Sequence, residues 1–232
     1  MNTIIIGKDS IGSDHLINLN SIPLLMISYC EESQLDKIYG QFSAFDDNNF
    51  MITNTRHFDN WSLDKSKYKV YFKDEPENGT VISRFDLLQI VLDEIVIRQK
   101  ILKAKRTISF SRYESLNTWN EVKLEYCFLV IDDIWDIITA KPKKLGLNLI
   151  MAMLYGPAVG IHTIFASAIS YRNLLQQLVS IHPILTIELK KKYGVPEPKQ
   201  LSTLGHELIF TPEDFVYYKK GSIGDMEKFY KS

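Results

Sequence analysis

Two acidic residues stand where α/β proteins often place their chemistry, directly after an apolar strand. The run Cys127–Ile131 has five successive apolar residues, and Asp132 and Asp133 follow it. Apolar side chains at every position predict a strand buried on both faces of a parallel sheet. Ligands bind at the carboxyl ends of such strands. Asp132 is therefore a candidate for the carboxylate that faces a Mg²⁺-bound nucleotide, although a carboxylate that caps the next helix would give the same pattern.

Composition sets limits on the class of protein. The 232 residues are 45% hydrophobic and 24% charged, which suits one large or two small globular domains. The net charge of -1 gives no sign of nucleic-acid binding, and no uninterrupted apolar run reaches the length of a membrane span. Cys30 and Cys127 lie in apolar runs, as free cysteines of a cytosolic protein do. The histidines have no metal-ligand spacing, so no metal site is predicted.

Strand and helix patterns alternate along the chain, which predicts an α/β fold with a mostly parallel sheet. The strands at residues 24–28, 128–132 and 161–166 are expected in its interior, because they are apolar at successive positions. Residues 107–121 are expected to form an irregular connection, and residues 215–218 an antiparallel edge strand. Helices are predicted where apolar side chains recur at helical spacing, over residues 33–45, 83–106, 145–155 and 171–180.

Three segments resemble FtsK/SpoIIIE-type ATPases, in the order of that family. Residues 7–27 resemble the lead-in to its nucleotide-binding loop, residues 128–136 its Walker B strand, and residues 159–167 its Gly-Ile-His strand. Within the family, the chain looks most like the C-terminal ATPase module of an EssC/EccC-type protein of type VII secretion. The resemblance implies a RecA-like (P-loop NTPase-like) domain over residues 1–232, with a mostly parallel sheet flanked by helices, as one piece of a longer protein.

The positions that carry chemistry in that family depart from its pattern. A phosphate-binding loop needs glycines and a lysine, but residues 28–36 contain neither, and Leu35 or Gln34 falls near the lysine position. Asp133 stands where the family has the catalytic glutamate, and Ala168 where it has a sensor amide. ATP and Mg²⁺ are not expected to bind in the usual mode. The degenerate nucleotide site comprises Glu31, Glu32, Ser33, Leu35, Asp132, Asp133 and Ala168.

If the module does not turn over ATP, binding remains as its function. The resemblance then implies a docking platform for exported substrates, namely small helical proteins or their C-terminal signal helices, in the cytoplasmic part of a membrane-anchored motor with further ATPase modules. Neither nucleic-acid binding nor membrane insertion of this segment is expected. The alternatives are an ATP-hydrolysing secretion motor, active or atypical, and a DNA translocase.

A signal helix would need an apolar groove with anchors at helical spacing. Trp135 is the foremost candidate, because tryptophan is enriched at interface hot spots. Each of the candidate groove residues could also be an ordinary residue of the hydrophobic core. The candidate groove residues are Ile134, Trp135 and Ile138 after the central strand, and Leu174, Leu175 and Leu178 on the predicted neighbouring helix.

Overall fold

A computed structural model describes residues 3–28, 32–44, 49–53, 69–71, 84–116, 124–131, 144–167, 205–210, 215–220 and 226–231. The strands are β1 Thr3–Lys8, β2 Asp14–Asn18, β3 Leu24–Ser28, β4 Asn49–Thr53, β5 Lys69–Tyr71, β6 Cys127–Ile131, β7 Ile161–Ser167, β8 Gly205–Phe210, β9 Phe215–Lys220 and β10 Met226–Tyr230. The helices are α1 Glu32–Gly40, α2 Arg84–Ala104, α3 Phe110–Leu116 and α4 Lys144–Tyr155. Short 3₁₀ turns occupy Leu19–Ser21, Gln41–Ala44 and Pro157–Val159.

The described strands form a single mixed sheet in the order β2-β1-β10-β9-β8-β3-β7-β6-β4-β5. From β8 to β5 every pairing is parallel. From β8 to β2 every pairing is antiparallel. Strand β8 therefore belongs to both halves, since it is parallel to β3 and antiparallel to β9.

The prediction of a RecA-like, mostly parallel sheet flanked by helices is wrong. Five strands of this sheet, β2, β1, β10, β9 and β8, are joined by antiparallel pairings. The physical reason is the shortness of the connections between β1 and β2, β8 and β9, and β9 and β10. Such short segments can join antiparallel neighbours, whereas a parallel pair needs a crossover of a dozen residues or more. The predicted edge strand, β9, is antiparallel but interior, because β10 covers its far side.

The three apolar strands do lie in the interior. Strand β3 pairs with β7 and β8, β7 with β3 and β6, and β6 with β7 and β4. All five residues of β3 and of β6 are buried. Alternate side chains of these strands point to opposite faces, so the sheet divides two hydrophobic cores. One core is formed with α2, α3 and α4, and the other with α1 and the antiparallel strands.

Most of the predicted helices are confirmed at their described residues. Leu35, Ile38, Tyr39 and Phe42 are buried along α1 and the 3₁₀ turn after it, as their spacing predicted. Helices α2 and α4 occupy the predicted segments within a few residues. The irregular connection predicted at residues 107–121 is wrong in part, because α3 lies there and buries Phe110 and Tyr113. The helix predicted at residues 171–180 lies outside the described residues.

A buried arginine ties α2 to the amino ends of the central strands. Arg98 is only 4% exposed, and its Nε donates to Glu94 Oε1 at 2.8 Å. Its Nη1 donates to the carbonyl of Glu125, just before β6, at 2.7 Å, and to that of Val159, just before β7, at 3.2 Å. The guanidinium carbon lies 6.0 Å from the ring centroid of Phe110. The Arg98 side chain thus donates to the residues that precede two strands, and its charge is balanced by Glu94.

The ring of Phe110 in turn requires glycine at the start of β7. Gly160 has a φ of +76°, in the left-handed region that glycine adopts without strain. A Cβ atom at this position would lie 2.6 Å from Cγ of Phe110. The glycine of the Gly-Ile-His segment therefore serves packing at the amino end of the sheet.

We expect Arg98→Met to lower the free energy of unfolding by about 3 kcal/mol, because two buried carbonyls lose their donor while the volume of the side chain is largely kept. Urea denaturation monitored by tryptophan fluorescence measures this. Asp93→Asn is the matched control: this residue is exposed on the same helix and its Oδ1 accepts from Gln89, a bond that an amide oxygen can keep, so the loss should stay below about 1 kcal/mol. Equal, small losses in both variants would contradict the role given to Arg98.

Candidate functional site

The carboxyl ends of the parallel strands lie at one edge of the sheet. Ser28, Thr53, Ile131, Ser167 and Phe210 are the last residues of β3, β4, β6, β7 and β8. The register pairs Ser28 with Ser167 on one side and with Ile209 on the other. This is the edge at which α/β proteins bind their ligands. Any site built from the motifs of the sequence must therefore lie here.

The junction between β3 and α1 is short. Strand β3 ends at Ser28 and α1 begins at Glu32, so Tyr29, Cys30 and Glu31 alone connect them. Three residues span at most about 11 Å when fully extended. None of them is glycine, and the helix opens with an acidic residue. A carboxylate in the first turn is favoured by the positive end of the helix dipole, which is the same feature that would attract a phosphate.

The structure places three of the predicted nucleotide-site residues within α1. Glu32 is its first residue, and Ser33 lies in its first turn. Leu35 is 5% exposed and packs in the core with Ile38 and Phe42. The position near which the family has its lysine is thus held by a buried apolar side chain. Glu31, Asp132, Asp133 and Ala168 lie outside the described residues.

The six predicted groove residues also lie outside the described residues. These are Ile134, Trp135, Ile138, Leu174, Leu175 and Leu178. In the sequence, residues 134–138 come after β6, which ends at Ile131, and residues 174–178 come after β7, which ends at Ser167. Because β6 and β7 are parallel neighbours, the carboxyl ends of these two strands lie at the same edge of the sheet.

A buried polar pair at this edge was missed by the sequence reasoning. The hydroxyl of Ser28 donates to Oε1 of Glu207 at 2.6 Å, and the two residues are 0% and 3% exposed. Glu207 is level with Met26 in the register, so its side chain extends along the strand to reach the end of β3. The available signal was a carboxylate inside the apolar strand β8. Its partner is 179 positions away, which no local pattern reveals.

His162 of the Gly-Ile-His segment has a structural position. It is 4% exposed, and its Nδ1 lies 2.9 Å from the carbonyl oxygen of Leu19. The rings of Tyr126 and Phe128 meet it edge-on, at centroid distances of 5.3 and 6.1 Å. Burial lowers the pKa of His162 below its usual 6.5, against the backbone hydrogen bonds to Leu19 and Ile22, which raise it. The histidine connects the 3₁₀ turn before β3 to strand β7.

A second histidine is paired within the antiparallel half. The Nδ1 atom of His206 is hydrogen-bonded to the hydroxyl of Tyr218, across the β8–β9 pairing. Burial, with Lys220 adding to its effect, lowers the pKa of His206. Burial also raises the pKa of Tyr218 to about 12, and Glu227 adds to this. Among the described residues, no group of three histidines, cysteines or acidic residues could hold a metal ion.

No protein-family model and no curated protein matches the sequence. Solved structures do match, over the full length of this chain. EssC (ATPases 2 and 3) from Geobacillus thermodenitrificans superposes with a TM-score of 0.64 at 12% identity, and the cytoplasmic domain of the type VII secretion ATPase EccC from Thermomonospora curvata with 0.64 at 16%. The chain has the fold of an EssC/EccC-type ATPase module. The resemblance to EssC/EccC modules that the three motifs suggested is thereby confirmed, whereas the RecA-like, mostly parallel sheet that it implied is not.

The present chain spans less than half the length of those solved chains. It covers 44% of the EssC chain and 28% of the EccC chain. A third match is Thermomonospora curvata EccC (ATPases 2 and 3) in complex with a signal sequence peptide, with a TM-score of 0.59 at 13% identity and 41% of that chain covered. No helix in the described part of the present chain is both long and apolar enough to cross a membrane. That its nucleotide site is degenerate remains a prediction.

The lowered pKa of His162 makes stability depend on pH. A group whose pKa is lower in the folded state binds fewer protons there than in the unfolded chain, so stability is greatest above pH 6.5 and falls as the pH drops toward the folded pKa. We expect His162→Gln to lose less stability than the parent between pH 7.5 and pH 5. Urea denaturation at the two pH values measures the difference.

The control is Ile164→Val on the same strand, which should cost about 1 kcal/mol at both pH values and leave the pH dependence unchanged. A pH dependence of His162→Gln identical to that of the parent would contradict the assignment of this proton to His162.

Proposed function

We propose that this chain is a module of a type VII secretion motor that binds exported proteins and does not hydrolyse ATP. It would act as a docking platform, in the cytoplasmic part of a membrane-anchored secretion ATPase, and couple its substrates to the translocation machinery. Its partners would be small helical secreted proteins or their C-terminal signal helices, together with other ATPase modules of the same motor. Likeness in fold to the EssC/EccC modules supports a role in type VII secretion, and the residues at the β3–α1 junction support the loss of ATP hydrolysis.

The short β3–α1 junction is the observation that carries the loss of turnover. A phosphate-binding loop wraps around the phosphates with successive backbone N–H groups, which requires glycines and more chain than a direct turn from strand to helix. Here three residues without glycine connect Ser28 to Glu32, and Leu35 is committed to the core. Glu31 and Glu32 would also repel the phosphates. A site with this connection lacks both the cradle and the cation for a nucleotide.

Substrate docking is supported by likeness and by position. The EccC structure with a signal sequence peptide belongs to a protein of the same fold. In the present chain, the neighbouring parallel strands β6 and β7 end at the same edge, and residues 134–138 and 174–178 come after them in the sequence. Their apolar side chains could line a groove there, and a signal helix would fill it with anchors at helical spacing. The edge would be open to a protein ligand because no nucleotide occupies it.

Isothermal titration with ATP and Mg²⁺ tests the loss of nucleotide binding. We expect no saturable heat into the millimolar range, because the junction offers no cradle for phosphates. The matched variant Asp132→Ala should behave as the parent does. A dissociation constant in the low micromolar range that Asp132→Ala abolishes would establish a working nucleotide site, and with it the alternative of an ATP-hydrolysing motor or translocase.

Substitutions in the predicted groove test the docking of substrates. We expect Leu174→Asp or Leu178→Asp to weaken binding of a labelled signal helix from an exported substrate by about 2 kcal/mol, or roughly thirtyfold, because a desolvated apolar anchor is lost. Fluorescence anisotropy measures the binding, and circular dichroism with thermal melting must first show that the variants are folded.

Leu16→Asp, at a 57% exposed position on the edge strand β2, is the matched control and should bind normally. If folded variants at Trp135, Leu174 and Leu178 all bind as the parent does, the groove is not the docking site.

A further inference from the structure

Helix α2 carries apolar side chains on two opposite faces. Its inner face is in the core, where Leu88, Val91 and Ile95 are at most 4% exposed. On the outer face of its carboxyl-terminal half, Val96 is 47% exposed and Ile97 is 50% exposed. A helix that packs on one side of a sheet needs one apolar face only. The inner core therefore does not account for the exposed parts of Val96 and Ile97.

Basic side chains follow Val96 and Ile97 toward the carboxyl end of this face, whereas the exposed Asp93, one turn before Val96, is acidic. Lys100 and Lys103 follow Val96 at helical spacing and are exposed, and Arg106 is exposed just beyond the end of the helix. Ile108 follows at 90% exposure. From residue 99 to residue 113 the chain contains no aspartate or glutamate. We name Val96, Ile97, Lys100, Lys103, Arg106 and Ile108 the α2 patch.

The helix dipole accounts for only part of the α2 patch. Cations near the carboxyl end of a helix are stabilised by its negative pole, which would explain Lys103 and Arg106 without a ligand. It does not explain three β-branched apolar side chains exposed among them. Exposed apolar residues that are grouped and bordered by charge mark interaction sites. The charge further selects the partner, because cations around an apolar centre complement carboxylates around an apolar stripe.

We propose that the α2 patch docks an acidic amphipathic helix of a partner protein. The partner's apolar stripe would lie against Val96, Ile97 and Ile108, and its flanking carboxylates would face Lys100, Lys103 and Arg106. This surface lies away from the carboxyl edge of the sheet, because α2 is anchored through Arg98 at the amino ends of β6 and β7. The inference therefore goes beyond substrate docking at that edge and does not depend on it.

A partner helix fits the α2 patch better than the other acidic ligands do. A helix that binds an anionic membrane lies in its surface and inserts aromatic or long apolar side chains. Helix α2 instead has its inner face in the core, and its exposed apolar residues are β-branched. A nucleic acid would need the cations alone, since phosphates gain nothing from an apolar centre. Ridges of side chains on α2 can interdigitate with those of a second helix.

The test uses a designed peptide as its probe. A fluorescein-labelled helical peptide of about 18 residues, with leucines at i, i+3, i+4 and i+7 bordered by glutamates, matches the proposed chemistry. Fluorescence anisotropy with the full chain should show saturable binding, with a dissociation constant of the order of tens of micromolar. Binding should weaken as the salt concentration rises, because charged groups contribute to it. A scrambled peptide of the same composition has no stripe and should bind at least tenfold more weakly.

Two double variants separate the contributions of the α2 patch. Val96→Ala with Ile97→Ala keeps the helix, since alanine is the best helix former, and should weaken binding at least tenfold. Lys100→Glu with Lys103→Glu should weaken it as much and reverse the effect of salt. Met226→Ala and Lys8→Glu, at exposed positions on other strands, are the controls and should bind as the parent does.

Several results would overturn the proposal. Absence of saturable binding, equal binding of the scrambled peptide, or binding that the patch variants leave unchanged would each do so. Vesicles of phosphatidylcholine with phosphatidylserine and a short DNA duplex are tested in parallel. If either binds more tightly than the peptide and the patch variants abolish that binding, the α2 patch serves that class of ligand instead.

Discussion

The pairing of β3 on both of its sides is the constraint on which the rest of the structure depends. β3 is held between β7 and β8 by parallel pairing, and every one of its residues is buried. It therefore cannot shift along its axis without breaking two registers at once. Because α1 begins at Glu32, the chain has three residues in which to leave the sheet and start the helix. The short connection between β3 and α1 at the carboxyl edge follows from the fixed position of β3.

Buried polar groups lie at both ends of the parallel strands. At the amino ends, Arg98 holds the entrances of β6 and β7, and His162 holds the turn before β3. Both side chains are buried and satisfied, and so they serve the fold. At the carboxyl edge, the buried hydrogen bond of Ser28 to Glu207 joins the end of β3 to β8. The described polar contacts thus hold both ends of the parallel strands in register.

The sequence predicted those features that depend on local pattern. The central strands were found because their residues are apolar at successive positions, and α1 because Leu35, Ile38 and Phe42 recur at helical spacing. Of the antiparallel half, only the direction of β9 was predicted, since the apolar pattern of a strand does not state its direction. Helix α3 was missed because its polar sequence outweighed the i, i+3 pair of Phe110 and Tyr113.

The site could be predicted only as far as its position. The β3–α1 junction is local in sequence, so its place at the carboxyl edge follows from the parallel pairing of β3. The place of Asp132 stays a prediction, because this residue lies outside the described residues. The contact of Ser28 with Glu207 joins β3 to β8, whose adjacency arises from tertiary pairing. The exposure of Val96 and Ile97 likewise depends on which face of α2 packs against the sheet. Because apolar residues occur on more than one side of this helix, its sequence pattern does not indicate which face is buried.

Thermal melting with and without nucleotide tests the central claim most directly. A ligand that binds only the folded state stabilises it by about 2.7 kcal/mol at one hundred times its dissociation constant, which raises the Tm of a domain of this size by roughly 5–10 °C. With 5 mM ATP and Mg²⁺, at about that excess for a Kd of tens of micromolar, the account predicts a Tm equal to that of the free protein. A rise of several degrees that Asp132→Ala removes would contradict it.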